Sequence, residues 1–187
     1  MKPYRKIILK YYPKDTKRYK YYYTHVKAVT RLALRIAKDH PQYNPDLEYI
    51  EYASMLHDIG IFMTDAPEIG CTGKLPYICH GYLGRELLEK EGLEHIAPIC
   101  ERHIGVGITI EEIEARGLPI PKRDMTPQTI EEKIVCYADK FYSKSADDLN
   151  KPKSIEKIRR KMEKLGPEKL ERFNQFVELF GVPDFDL

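Results

Sequence analysis

Apolar residues recur along this chain at steps of three and four almost everywhere, and strict alternation over more than a few residues is hard to find. That spacing lines them up on helical stripes and denies a half-buried strand its pattern, so the expected fold class is all-α. From about Asp15 to Lys38, His25, Val29, Leu32 and Ile36 share one stripe, which Pro41 and Pro45 bring to an end. Asp46 caps a second predicted helix on which Leu47, Ile50, Ala53 and His57 share a face, with Gly60 just past its end. Residues 61–76 read as a loop, and Tyr77 to Glu91 as a helix closed by Gly92. Leu93, Ile96, Ile99 and His103 predict a short helix before the Gly105-Val106-Gly107 loop. After a proline-rich connection, Thr129 to Ser143 form a helix with Val135 and Asp139 one turn apart. Two more, Ser154 to Leu165 and Pro167 to Phe180, are closed by Gly166 and Gly181.

With 187 residues, 42% of them hydrophobic, the chain suits one compact domain. The expected organisation is a single unit over residues 1–187, with the chemistry in about 20–145 and a helical extension over 146–187. No apolar run approaches the roughly 18 to 20 residues of a membrane span, and Ile7-Ile8-Leu9 is too short for a signal-peptide core, so a cytoplasmic protein without a membrane partner is expected. Cys71, Cys79, Cys100 and Cys136 form no Cys-x-x-Cys pair and read as reduced thiols. The net charge of +2 conceals an asymmetry: Met1 to Lys27 holds nine Lys/Arg against Asp15 alone, leaving 22 basic and 28 acidic residues elsewhere. Seven tyrosines lie in the same basic segment, which either tracks a nucleic-acid backbone or packs its rings on the core behind a solvated lysine face.

The polar intruders on the apolar faces carry the chemistry. His25, His57-Asp58, His80, His103 and Asp139 all fall on predicted inward faces or helix ends. Burying six such groups without a shared partner would be very costly, and a divalent cation is a partner that both imidazole and carboxylate accept.

The order His25, His57-Asp58, His80, His103, Asp139, with the dipeptide in the form "HDIG", resembles the HD-domain metal-dependent phosphohydrolases. The resemblance implies an HD-type helical bundle in which His25, His57, Asp58 and Asp139 hold one metal. His80 and His103 hold a second that Asp58 bridges, and a metal-bridging hydroxide hydrolyses a phosphate ester or anhydride. Asp58 is then the catalytic carboxylate, and Lys140 and Arg102 are the candidate phosphate-binding cations. Mixed nitrogen and oxygen donors favour iron or manganese, with zinc, cobalt, nickel and magnesium as alternatives. "HGYLG" at His80 to Gly84 lacks the proline of the HD-GYP enzymes, whereas "ERHIGVGIT" is more similar to the small dinuclear branch that includes symmetrical dinucleoside tetraphosphate hydrolases. The expected partner is therefore a small nucleotide or other phosphate ester. The alternative expectation is a non-catalytic, metal-stabilised module that binds nucleic acid through the basic N-terminus or acts in regulation.

Overall fold

The computed structural model describes residues 2–144, 149 and 151–185, so positions 146–148, 150, 186 and 187 of the expected extension lie outside the described residues. The described residues form helices α1 (Pro3–Tyr11), α2 (Lys17–Asp39), α3 (Leu47–Leu56), α4 (His80–Lys90), α5 (Pro98–Arg102), α6 (Ile110–Ala115), α7 (Ile130–Lys140), α8 (Ile155–Leu165) and α9 (Pro167–Phe180). The all-α expectation holds. The exception is a two-residue antiparallel pair, β1 (Asp65–Ala66) and β2 (Cys71–Thr72), inside the stretch that reads as loop.

Local chemistry sets the helix starts. Thr16 accepts from the Tyr19 amide at the head of α2, Asp46 accepts from Glu48 and Tyr49 at the head of α3, and Thr129 with Glu132 closes a capping box on α7. Two helices are absent from the sequence expectation. The first, α1, is set off from α2 by Pro13 and by Asp15 in the left-handed region at φ 65°. The second, α6, is a short turn made by the Thr109–Glu112 capping box within the proline-rich connection.

The buried stripe of α2, with Val26, Val29, Leu32, Ala33 and Ile36, packs between α3 and α7. From α9, Phe173, Phe176 and Phe180 gather around Tyr137 of α7, so the extension shares the core with the helices before it. The N-terminal tyrosines largely turn inward. Tyr4, Tyr12 and Tyr22 are buried, and Tyr12 and Tyr22 stack at 4.0 Å between ring centroids. The Tyr12 hydroxyl donates to the Ile59 carbonyl and accepts from the Phe62 amide, and the Tyr22 hydroxyl donates to the Met55 carbonyl. These rings brace the backbone on both sides of His57-Asp58.

Gly60 does not act as a helix C-cap. After α3 ends at Leu56, the chain passes through His57-Asp58 into a 3₁₀ turn, Ile59–Met63. A Cβ on Gly60 would lie 2.2 Å from the His80 carbonyl oxygen and 2.5 Å from the Gly84 amide nitrogen. Glycine is required here because this turn rests directly on the backbone of α4, which brings Asp58 and His80 together.

Candidate metal centre

Five places in the fold deliver six side chains to one buried point. His25 comes from the middle of α2, His57-Asp58 from the turn after α3, His80 from the start of α4, His103 from the end of α5, and Asp139 from the last turn of α7. The two oxygens of Asp58 face different ways. Its Oδ2 lies 3.2 Å from Nε2 of both His25 and His57, and its Oδ1 lies 3.3 Å from His103 Nε2 and 3.5 Å from His80 Nε2. Asp139 Oδ1 joins the first set, 3.0 Å from His25 Nε2 and 3.4 Å from His57 Nε2.

The outward nitrogens decide what the inward ones can do. Nδ1–H of His57 donates to the Ser54 carbonyl at 2.7 Å, that of His80 to Tyr77 at 2.5 Å, and that of His103 to Ile99 at 3.1 Å. A neutral imidazole that donates through Nδ1 presents a bare lone pair at Nε2. Those lone pairs converge on carboxylate oxygens that are themselves acceptors; Oδ1 of Asp58 and Nε2 of His57 have no hydrogen-bond partner among the described residues, while Oδ2 of Asp58 has the Lys144 ammonium at 2.7 Å. The ammonium groups of Lys144 and Lys140 pair with the Oδ2 atoms of the two carboxylates, and the acceptors that converge inward share no cation among the described residues. Two overlapping donor sets, one of His25, His57, Asp58 and Asp139 and one of Asp58, His80 and His103, therefore suit divalent metal. Nitrogen and oxygen donors without thiolate fit the borderline transition metals.

The carboxylates of the cluster draw positive charge from Lys144 and from the His57 imidazole. Burial opposes the charge on Asp58, but Lys144 and His57 outweigh it and hold the carboxyl well below its usual range. Burial likewise opposes His57, and Asp58 and Asp139 raise it to about 9. His80, dominated by burial, falls to about 3, and burial also lowers His103.

The expected phosphate-binding cations part company. Lys140 lies beside the centre, with Nζ 2.8 Å from Asp139 Oδ2 and donating to the His103 carbonyl at 2.9 Å. Arg102 points elsewhere, because its guanidinium pairs at 2.7 Å with the buried Glu132 of α7. Lys144, which the sequence does not single out, sits with Nζ 2.7 Å from Asp58 Oδ2. A cavity of about 610 Å³ opens over His80, His103 and Asp139, and Lys140, Lys144, Lys153 and Lys161 all line it. Lys153 and Lys161 escaped sequence reasoning, although 153, 157 and 161 are spaced to lie along one helical face.

The HD domain family model matches residues 22–143. The chain is 30% identical over 167 residues to a protein of Thermoplasma volcanium named tRNA (cytidine(56)-2'-O)-methyltransferase, a match covering 89% of this chain and 44% of that one. It is 38% identical over 120 residues to a protein of the same name from Picrophilus torridus, covering 64% and 30% of the two chains. An uncharacterized protein of Methanocaldococcus jannaschii is 42% identical over 118 residues, 62% of each chain. The chain thus spans less than half the length of the two relatives named as methyltransferases. No solved structure matches significantly.

These findings correct the functional expectation. Curated relatives with this motif region carry the name of a tRNA methyltransferase, so hydrolysis of a small phosphate ester is not supported. No helix among the described residues is long and apolar enough to cross a membrane.

Proposed function

Because the chain belongs to the HD-domain family, we propose that it is a metal-binding module of RNA-directed chemistry that engages tRNA or a related RNA through the cavity over its His/Asp centre. The observation that carries this reading is the charge balance of that cavity. Among the described lining residues Asp139 stands with Lys140, Lys144, Lys153 and Lys161, and the buried Asp58 pairs with Lys144, an excess of positive charge that bound metal would enlarge. A polyanion is the ligand that relieves it. The names of the Thermoplasma and Picrophilus relatives favour RNA over other polyanions.

In this reading His25, His57, Asp58 and Asp139 hold one divalent ion, and Asp58, His80 and His103 hold a second. Iron or manganese is favoured by the donor set. When bound, such ions supply Lewis-acid contacts to phosphoryl oxygens. The chain's own residues position the RNA: Lys140, tied to Asp139 and to the His103 carbonyl, presents its charge at the cavity floor. The basic stretch of Lys14, Lys17 and Lys20, beside the Tyr19–Tyr23 pair stacked at 5.1 Å, offers an auxiliary backbone contact.

The test is fluorescence anisotropy of a labelled tRNA transcript with metal-reconstituted protein across a salt series. Binding that weakens steeply with salt, with a slope reduced by about one in Lys140→Ala, is expected. Absence of binding at low salt overturns the proposal.

A further inference from the structure

Helix α8 lies beyond the residues matched by the family model, yet it forms one wall of the cavity over the metal centre. It contributes two kinds of group. Lys157 and Lys161, one turn apart, with Lys153 just before the helix, bring cations, while Leu165 brings exposed apolar surface and the buried Ile158 and Met162 reach the cavity lining. Ile104, Ile108 and Leu118 line the same cavity.

This combination discriminates between forms of RNA. An A-form duplex shows its partners phosphates and 2′-hydroxyls, while its bases stay stacked inside, so it has nothing to place between apolar walls. An unpaired nucleotide presents a base face for those walls and a phosphate for the lysines. The lysines further favour a strand end. An internal phosphodiester carries one negative charge, whereas a terminal phosphate monoester carries about −1.5 to −2 near neutral pH. Among the described residues neither Lys153 nor Lys161 has a carboxylate at ion-pairing distance, and Lys153 donates to the Tyr142 carbonyl instead. Burial and the neighbouring lysines push Lys153 toward losing its proton, a cost that a dianion beside it would remove.

We infer that α8 converts the cavity into a pocket for the phosphorylated end of an unpaired RNA strand, the terminal base lying on the apolar lining of Ile104, Leu118 and Leu165 and the phosphate among Lys140, Lys153 and Lys161. This inference rests on the RNA binding proposed above and adds the form of RNA and the element that selects it.

The experiment measures anisotropy of metal-reconstituted protein with three labelled probes: a single-stranded RNA 12-mer with a terminal phosphate, tested at either end, the same strand with hydroxyl ends, and a blunt phosphorylated hairpin. The expected result is at least tenfold tighter binding of one phosphorylated strand than of the other two probes. Lys161→Ala and Lys161→Gln lose that margin while circular dichroism stays unchanged, and Lys161→Arg keeps it. Equal affinity for phosphorylated and hydroxyl strands, or a margin untouched by Lys161→Ala, overturns the role of α8 and leaves RNA binding standing. No binding of any probe or of intact tRNA overturns the RNA reading itself.

Discussion

Asp58 is the residue on which both donor sets depend, since its two oxygens face separate histidine pairs. Asn at this position keeps the shape but removes the charge and one acceptor oxygen, so Asp58→Asn is expected to lose metal from both sets. Asp139→Asn should empty the first set alone, and His103→Ala the second alone. Elemental analysis per chain checks all three, and equal losses in the three variants would remove the shared role of Asp58.

Lys153 supplies a pH prediction of two opposite signs. Burial first, and then Lys161, Lys140 and Lys144, lower its pKa from 10.5 to about 8, with Asp139 acting in the other direction. Below pH 8 the ammonium is charged in the folded and the unfolded chain alike. Between about 8 and 10.5 only the unfolded chain holds the proton, so raising pH through that window adds stability from this group. The same step removes a cation from the cavity. RNA affinity is therefore expected to fall between pH 7 and 9, and Lys153→Gln to flatten that profile; parallel profiles for wild type and variant would contradict it. His25, His57-Asp58, His80, His103 and Asp139 were legible in the sequence because each stands out locally, as a polar group on an apolar stripe or at a helix end. Lys144, Lys153 and Lys161 were not, since a lysine at helical spacing reads as solvated until its neighbours in space are known. Arg102 shows the same limit in reverse: its partner Glu132 lies thirty positions away on another helix.

At the scale of elements, the contact between the 3₁₀ turn Ile59–Met63 and α4 holds the two donor sets in register. Gly60→Ala places a methyl against the His80 carbonyl and the Gly84 amide, backbone atoms that cannot swing aside. Overpacking of this kind costs about 1 to 3 kcal/mol. The expected outcome is a lower thermal midpoint, with metal lost first from the set containing His80; an unchanged midpoint would mean that α4 tolerates displacement. A second coupling ties the end of the chain to the loop after His103. The buried Lys169 of α9 donates to the Gly107 carbonyl and pairs with Glu112, and Arg172 reaches the same two groups at 3.0 and 2.9 Å. Burial would raise the Glu112 carboxyl, but Lys169 and Arg172 outweigh it and lower it to about 2. That contribution to stability is present above the ordinary carboxylate range near 4.5 and is lost as pH falls toward 2.

In the whole molecule, one continuous cluster of buried residues runs from Tyr4 on α1 to Phe180 on α9. Ending the chain at residue 144 would strip Phe173, Phe176 and Phe180 from Tyr137, on the helix that carries Asp139. Loss of several buried aromatic side chains, each worth about 3 to 5 kcal/mol in a core, exceeds the usual margin of stability. The shortened chain is expected to lose its cooperative thermal transition; a retained sharp transition would show that the helices up to α7 fold alone. The sequence by itself determined the helical class and the ordered His/Asp set, because helical period and helix ends are properties of neighbouring residues. Only the tertiary structure decided that the two oxygens of Asp58 serve different histidine pairs, that Gly60 is a packing contact, and that α8 brings lysines over the centre. Those are distances between segments remote in sequence, set by how the helices share one core.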